Sequence, residues 1–90
     1  MAITFDPAKR AATLAERELD FEAAEVVFAG ATFDRVDDRY DYGETRIVTA
    51  GLLGGRMVIV VWTQCGPHRH IVSMRKANAR EQARYRYRLR

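Results

Sequence analysis

The sequence predicts an α+β fold: two N-terminal helices, a four-stranded antiparallel sheet and a C-terminal helix, in a single domain over residues 1–90. Three observations carry this. The first third repeats apolar residues at helical spacing, Ala8, Ala11, Ala12 and Ala15 and then Phe21, Ala24, Val27 and Phe28. The middle changes to short runs of β-branched and aromatic residues separated by glycine and proline. The end returns to a helical signal, with Asn78 followed three residues later by Glu81, the spacing of a capping box.

Taken in order, Asp6-Pro7 is an N-cap followed by proline at the first helical position, where its missing N–H is harmless, and the helix runs over residues 7–17. Asp20 caps a second helix over residues 21–29, which Gly30 ends. Strands follow at residues 33–36 and, after a turn containing Asp37-Asp38-Arg39 and Tyr42-Gly43, at residues 44–50. Gly51-Leu52-Leu53-Gly54-Gly55 reads as a hairpin turn into residues 57–63, Met-Val-Ile-Val-Val-Trp-Thr, which lack alternation and so predict a central strand buried on both faces. The turn Gln64-Cys65-Gly66-Pro67 leads to a fourth strand at residues 71–74, and short connections make all pairings antiparallel. The last helix starts at Ala79 and runs to about Arg86, where the tail Arg84-Tyr85-Arg86-Tyr87-Arg88-Leu89-Arg90 frays.

Composition narrows the class. One cysteine excludes an internal disulfide, no apolar run is long enough to span a membrane, and residues 1–6 lack the basic-then-apolar layout of a signal peptide, so a cytoplasmic protein without membrane contact is expected. The formal charge of +3 hides an asymmetry, +6 over residues 75–90 against −3 over residues 1–74. Only Lys9 and Lys76 among the fifteen basic residues are lysines, and an arginine excess suits planar, bidentate contact with phosphate or carboxylate.

No phosphate loop, dinucleotide fingerprint, nucleophile elbow or paired-cysteine metal motif is present. Cys65, His68 and His70 lie within six residues and form the nearest approach to a metal cluster, but a structural zinc needs four ligands, and solvated imidazoles at a hairpin tip are the simpler reading. Strand parity puts Arg69, Ile71, Ser73 and Arg75 on one face and His70, Val72 and Met74 on the other. Two guanidiniums beside a core require an open face or an anionic ligand. Glu44 and Arg46, two apart on one strand face, add a carboxylate and a further cation, and convergent cations are what a phosphodiester transition state needs. Glu44, Arg46, His70 and Arg75 are thus the catalytic candidates. Arg69, Ser73, Arg80, Arg84 and Tyr85 are candidates for holding an RNA backbone or stacking on bases.

The spaced combination of Ile3-Thr4-Phe5-Asp6-Pro7-x-Lys9, Phe21-Glu22-x-Ala24 with Val27-Phe28, Tyr42-Gly43-Glu44-x-Arg46, Gly55-Arg56, and Ile71-Val72-Ser73-Met74-Arg75-Lys76-Ala77 with Glu81 and Tyr85 resembles the BrnT family of toxins from type II toxin-antitoxin modules. The resemblance implies a RelE-like fold and a metal-independent ribonuclease that needs no cofactor, cleaves RNA and arrests translation and growth. It also implies a hetero-oligomer with a BrnA-type antitoxin whose ribbon-helix-helix part binds operator DNA, so that the toxin meets DNA only through its partner. The chain departs from the family pattern at Glu16-Arg17-Glu18, where Lys-His-Gly is usual, and at Cys65 and His70, where arginines are common. Two alternatives stay open beside the nuclease: a non-catalytic module that binds RNA or only the antitoxin, and a metal-dependent enzyme built on the Cys65, His68 and His70 tip.

Overall fold

The computed structural model describes residues 2–39, 41 and 43–89; Tyr42 of the motif before Glu44 and Arg90 of the basic tail lie outside the described residues. The chain opens with a short strand, β1 (Ala2–Phe5), and passes directly into helix α1 (Pro7–Arg17). Asp6 caps this helix by accepting the Ala8 amide at 2.9 Å, with Pro7 in the first turn as its fixed φ favours. A second cap, Asp20, starts a single 3-10 turn over Phe21–Ala23 that continues into α2 (Ala24–Ala29). The expected second helix is therefore two segments, its first turn tightened by the Asp20 cap.

Five strands form one sheet in the order β1-β5-β4-β3-β2, with β2 (Thr32–Asp37), β3 (Arg46–Leu53), β4 (Arg56–Cys65) and β5 (His68–Lys76) as an antiparallel meander. This corrects the four-stranded antiparallel expectation, because β1 adds a fifth strand that runs parallel to β5, pairing Ala2 with His68 and Phe5 with Ile71. Four residues whose partner lies 66 positions away leave no local signal. The central strand is where its unbroken apolar run predicts, with Val58, Ile59 and Val60 at most 1 % exposed. The turn into it is shorter than expected, only Gly54-Gly55, both left-handed at φ 59° and 79°. Gly51 stays inside β3, and it is glycine for another reason: a β-carbon there would run into Val27 of α2.

The sheet divides two cores. On one face Leu19, Phe21, Ala24 and Val27 pack against Val58, Val60, Trp62, Ile71 and Met74. On the other, Ala77, Tyr85 and Leu89 cover Val48, Ala50 and Ile59, brought there by helix α3 (Ala79–Tyr85) and the 3-10 turn Arg86–Arg88. That C-terminal cover is short. Among the described residues it packs on Val48, Ala50 and Ile59 and does not include Arg46 or His70, at whose end of the sheet Asp37 and Thr63 are nonetheless buried.

Candidate functional site

A β-bulge decides which side chains share this open face. Val61 pairs with Ser73 but its neighbour Trp62 pairs with Ile71, so Val72 is the extra residue on β5 and side-chain alternation changes phase across it. The parity expected from the sequence is broken there. His70 joins Ser73 and Arg75 on the open face, and Arg69 joins Ile71 and Met74 on the face covered by α1 and α2.

Cross-strand register then builds the site in rows. One row runs Asp37, Arg46, Thr63, His70, Thr4 across β2, β3, β4, β5 and β1, and the next runs Arg35, Val48, Val61, Ser73. A third, Phe33, Ala50, Ile59, Arg75, passes under the edge of α3. Neighbouring strands lie about 4.8 Å apart and alternate residues about 6.6 Å along a strand, and Arg39 and Arg35 are near enough to act on Arg75 and Glu81 respectively.

Each cation is held by a specific acceptor. Arg75 donates from Nη1 and Nη2 to the two oxygens of Glu81 at 2.7 and 2.8 Å, and this hydrogen bonding holds the guanidinium above its ordinary pKa against burial and the repulsion of Arg39. Glu81 is correspondingly lowered, first by Arg75, with further help from the Asn78 amide and the field of Arg35. Arg39 lies against the buried Asp37, donating from Nε and Nη2 at 2.9 and 3.1 Å, and Arg46 Nε stands 3.6 Å from Glu44. Arg35 Nε donates to the Tyr85 hydroxyl at 3.2 Å. A guanidinium has five N–H donors, so Arg75 and Arg35 keep donors beyond these bonds for an incoming phosphate. His70 Nδ1 is 2.9 Å from Thr4 Oγ1, a contact that orients the ring and leaves Nε2 for other partners.

Of the residues singled out in the sequence, Arg46, His70, Ser73 and Arg75 lie on this face, with Arg80 and Arg84 exposed beside Glu81 on α3; Glu44, expected inside the strand, lies in the bend before β3 and reaches the face only through its 3.6 Å approach to Arg46. Two do not fit their expected roles. Arg69 lies on the opposite face, and Tyr85 is 4 % exposed, its ring 5.5 Å from that of Phe33, so it is packed where base stacking requires it to be free. Three contributors were missed: Arg35, Arg39 and the carboxylate of Glu81. The alternation of Phe33, Arg35 and Asp37 along β2 was the signal for the first. Glu81 showed in the sequence as a helix cap and as part of the family resemblance, not as a partner of Arg75. Among the described residues no three histidine, cysteine, aspartate or glutamate side chains converge, so Cys65, His68 and His70 do not form a metal cluster.

Residues 5–81 match the model of a family described as the ribonuclease toxin, BrnT, of type II toxin-antitoxin systems. The chain belongs to the BrnT family. Among curated proteins none matches it significantly. The matched span includes Arg35, Arg39, Arg46, His70, Ser73, Arg75 and Glu81. A type II BrnT toxin implies an RNA substrate and an antitoxin partner. No helix among the described residues is long and apolar enough to cross a membrane.

Proposed function

We propose that this BrnT chain is a RelE-like, metal-independent endoribonuclease that acts in the cytoplasm on mRNA, inhibits translation and so arrests growth. The observation that carries the reading is the placing of Arg35, Arg39, Arg46 and Arg75 with His70 on one side of the sheet, beside α3. A ribose 2′-OH attacks the adjacent phosphorus, giving its proton to Glu44 or His70, while the P–O5′ bond breaks and O5′ takes a proton. The products are a 2′,3′-cyclic phosphate and a 5′-OH. Arg46 and Arg75 stabilise the charge that develops on the phosphorane oxygens. Glu81 acts through Arg75, fixing the plane of its guanidinium, while Ser73, Arg80 and Arg84 hold the neighbouring backbone. A BrnA-type antitoxin of ribbon-helix-helix class neutralises the toxin and links it to operator DNA.

Purified protein incubated with RNA in the presence of a chelator tests this. Shortened products are expected from the native chain, and Arg46→Ala with Arg75→Ala should slow their appearance on the order of 100-fold or more. Cleavage that stops with chelator would move the chemistry to a metal. Undiminished cleavage by the double variant would remove both arginines from the site. A gel shift without shortened RNA would leave the face as a binding module.

A further inference from the structure

The bulge that brings His70 to the open face sends Arg69 to the opposite side, where its guanidinium lies 4.0 Å from the Phe28 ring centroid and 5.0 Å from that of Trp62. Stacking of this kind fixes the plane of the cation without using its N–H groups. Nε is shut off from solvent with no hydrogen-bond partner, and among the described residues no carboxylate pairs with Arg69. A half-buried, oriented cation lacking a counter-ion is costly for the isolated chain and is repaid by an incoming anion.

Arg69 borders a groove of about 370 Å³ together with Ile3, Glu25, Phe28 and Ala29. Val26, one turn before Ala29 on α2, is 60 % exposed and extends the apolar rim. Of the described carboxylates on this helical layer only Glu25 lines the groove; Asp20 and Glu22 are paired with Arg10, and Glu16 and Glu18 lie by Lys76 at the far end of β5. A nucleic acid brings a charge at every nucleotide, whereas among the described residues the groove offers a single cation, Arg69, beside Ile3, Phe28 and Ala29. One carboxylate flanked by aliphatic groups fits it.

We infer that this groove is a docking site for the antitoxin, which seats an acidic side chain on Arg69 and lays aliphatic side chains of the same segment over Phe28, Val26 and Ala29. The inference rests on the antitoxin partnership proposed above and not on the cleavage chemistry of the opposite face. Anchoring and neutralisation are then separate contacts on two sides of one sheet.

The test titrates the purified chain with the antitoxin of its own operon, by calorimetry and by the emission of Trp62, the single tryptophan, which lies against Arg69. Binding by the native chain should change that emission. Arg69→Met removes the charge but keeps an apolar stack, and Ala29→Glu supplies an internal carboxylate at an exposed position of the groove. Each should lower antitoxin affinity about tenfold or more, with cooperative thermal unfolding retained, and Ala29→Glu should cleave RNA at the native rate. Unchanged antitoxin affinity in Ala29→Glu would overturn the inference. So would a loss of RNA affinity in Arg69→Met with antitoxin affinity preserved, which would give the groove to RNA. Antitoxin binding is read whether or not the chain cleaves RNA, so failure of the nuclease reading is seen separately.

Discussion

Asp20 accepts from Arg10 Nε and Nη2 at 2.8 and 3.0 Å and from the Glu22 amide at 3.0 Å, so one carboxylate both caps a helix and ties α1 to the start of α2. Hydrogen bonding from Arg10, then from the Glu22 amide, lowers its pKa from 3.8 to about 2. The folded value lies below the unfolded one, so the contribution is complete above about pH 4 and is lost as pH falls towards 2. Asp20→Asn should therefore lower the thermal midpoint at neutral pH and unfold with a flatter acid limb across that window, as followed by circular dichroism against pH. Glu18, just before, is the one described non-glycine residue with positive φ, at 58°. A glycine would sit in this region without strain, whereas a side chain costs about 1 kcal/mol.

Helix α3 joins stability to chemistry through one side chain. Glu81 Oε1 accepts the Asn78 amide at 2.9 Å while Asn78 Oδ1 accepts the Glu81 amide at 2.9 Å, and the same carboxylate holds Arg75. Two substitutions separate these duties. Asn78→Ala should cost about 1 kcal/mol of unfolding free energy and leave RNA cleavage near native, because the Arg75 pair survives. Glu81→Ala should cost a comparable amount and also slow cleavage about tenfold by releasing the guanidinium, so urea unfolding alongside turnover distinguishes cap from positioning residue. At this scale the sequence was readable wherever signals are local. The Asp6-Pro7 start, the Asn78 capping box and the Gly66-Pro67 turn lie at their expected positions, since a cap or a turn is specified within three or four residues. The parallel strand β1 and the bulge at Val72 were not readable, since each is defined by a partner strand remote in the chain.

The whole molecule presents two unlike faces across a single sheet. The open side carries Arg35, Arg39, Arg46 and Arg75 with the basic C-terminal helix beside them, and the side of α1 and α2 is rimmed by carboxylates. A net charge of +3 understates this polarity. RNA affinity should fall linearly with the logarithm of salt concentration, and each arginine removed from the open face should reduce that slope by about 0.7. Fluorescence anisotropy of a labelled single strand between low and physiological salt measures it. A slope unchanged by Arg46→Ala would mean that Arg46 contacts no phosphate.

The amino-acid sequence alone determined the caps, the turns, the doubly buried central strand and the concentration of arginine, because each is encoded in neighbours or in composition. Tertiary structure decided which arginines meet. One extra residue at Val72 reverses side-chain direction along β5, joining His70 to Arg75 and turning Arg69 to the far face, and pairing between strands, which no local pattern reports, fixes where that residue falls.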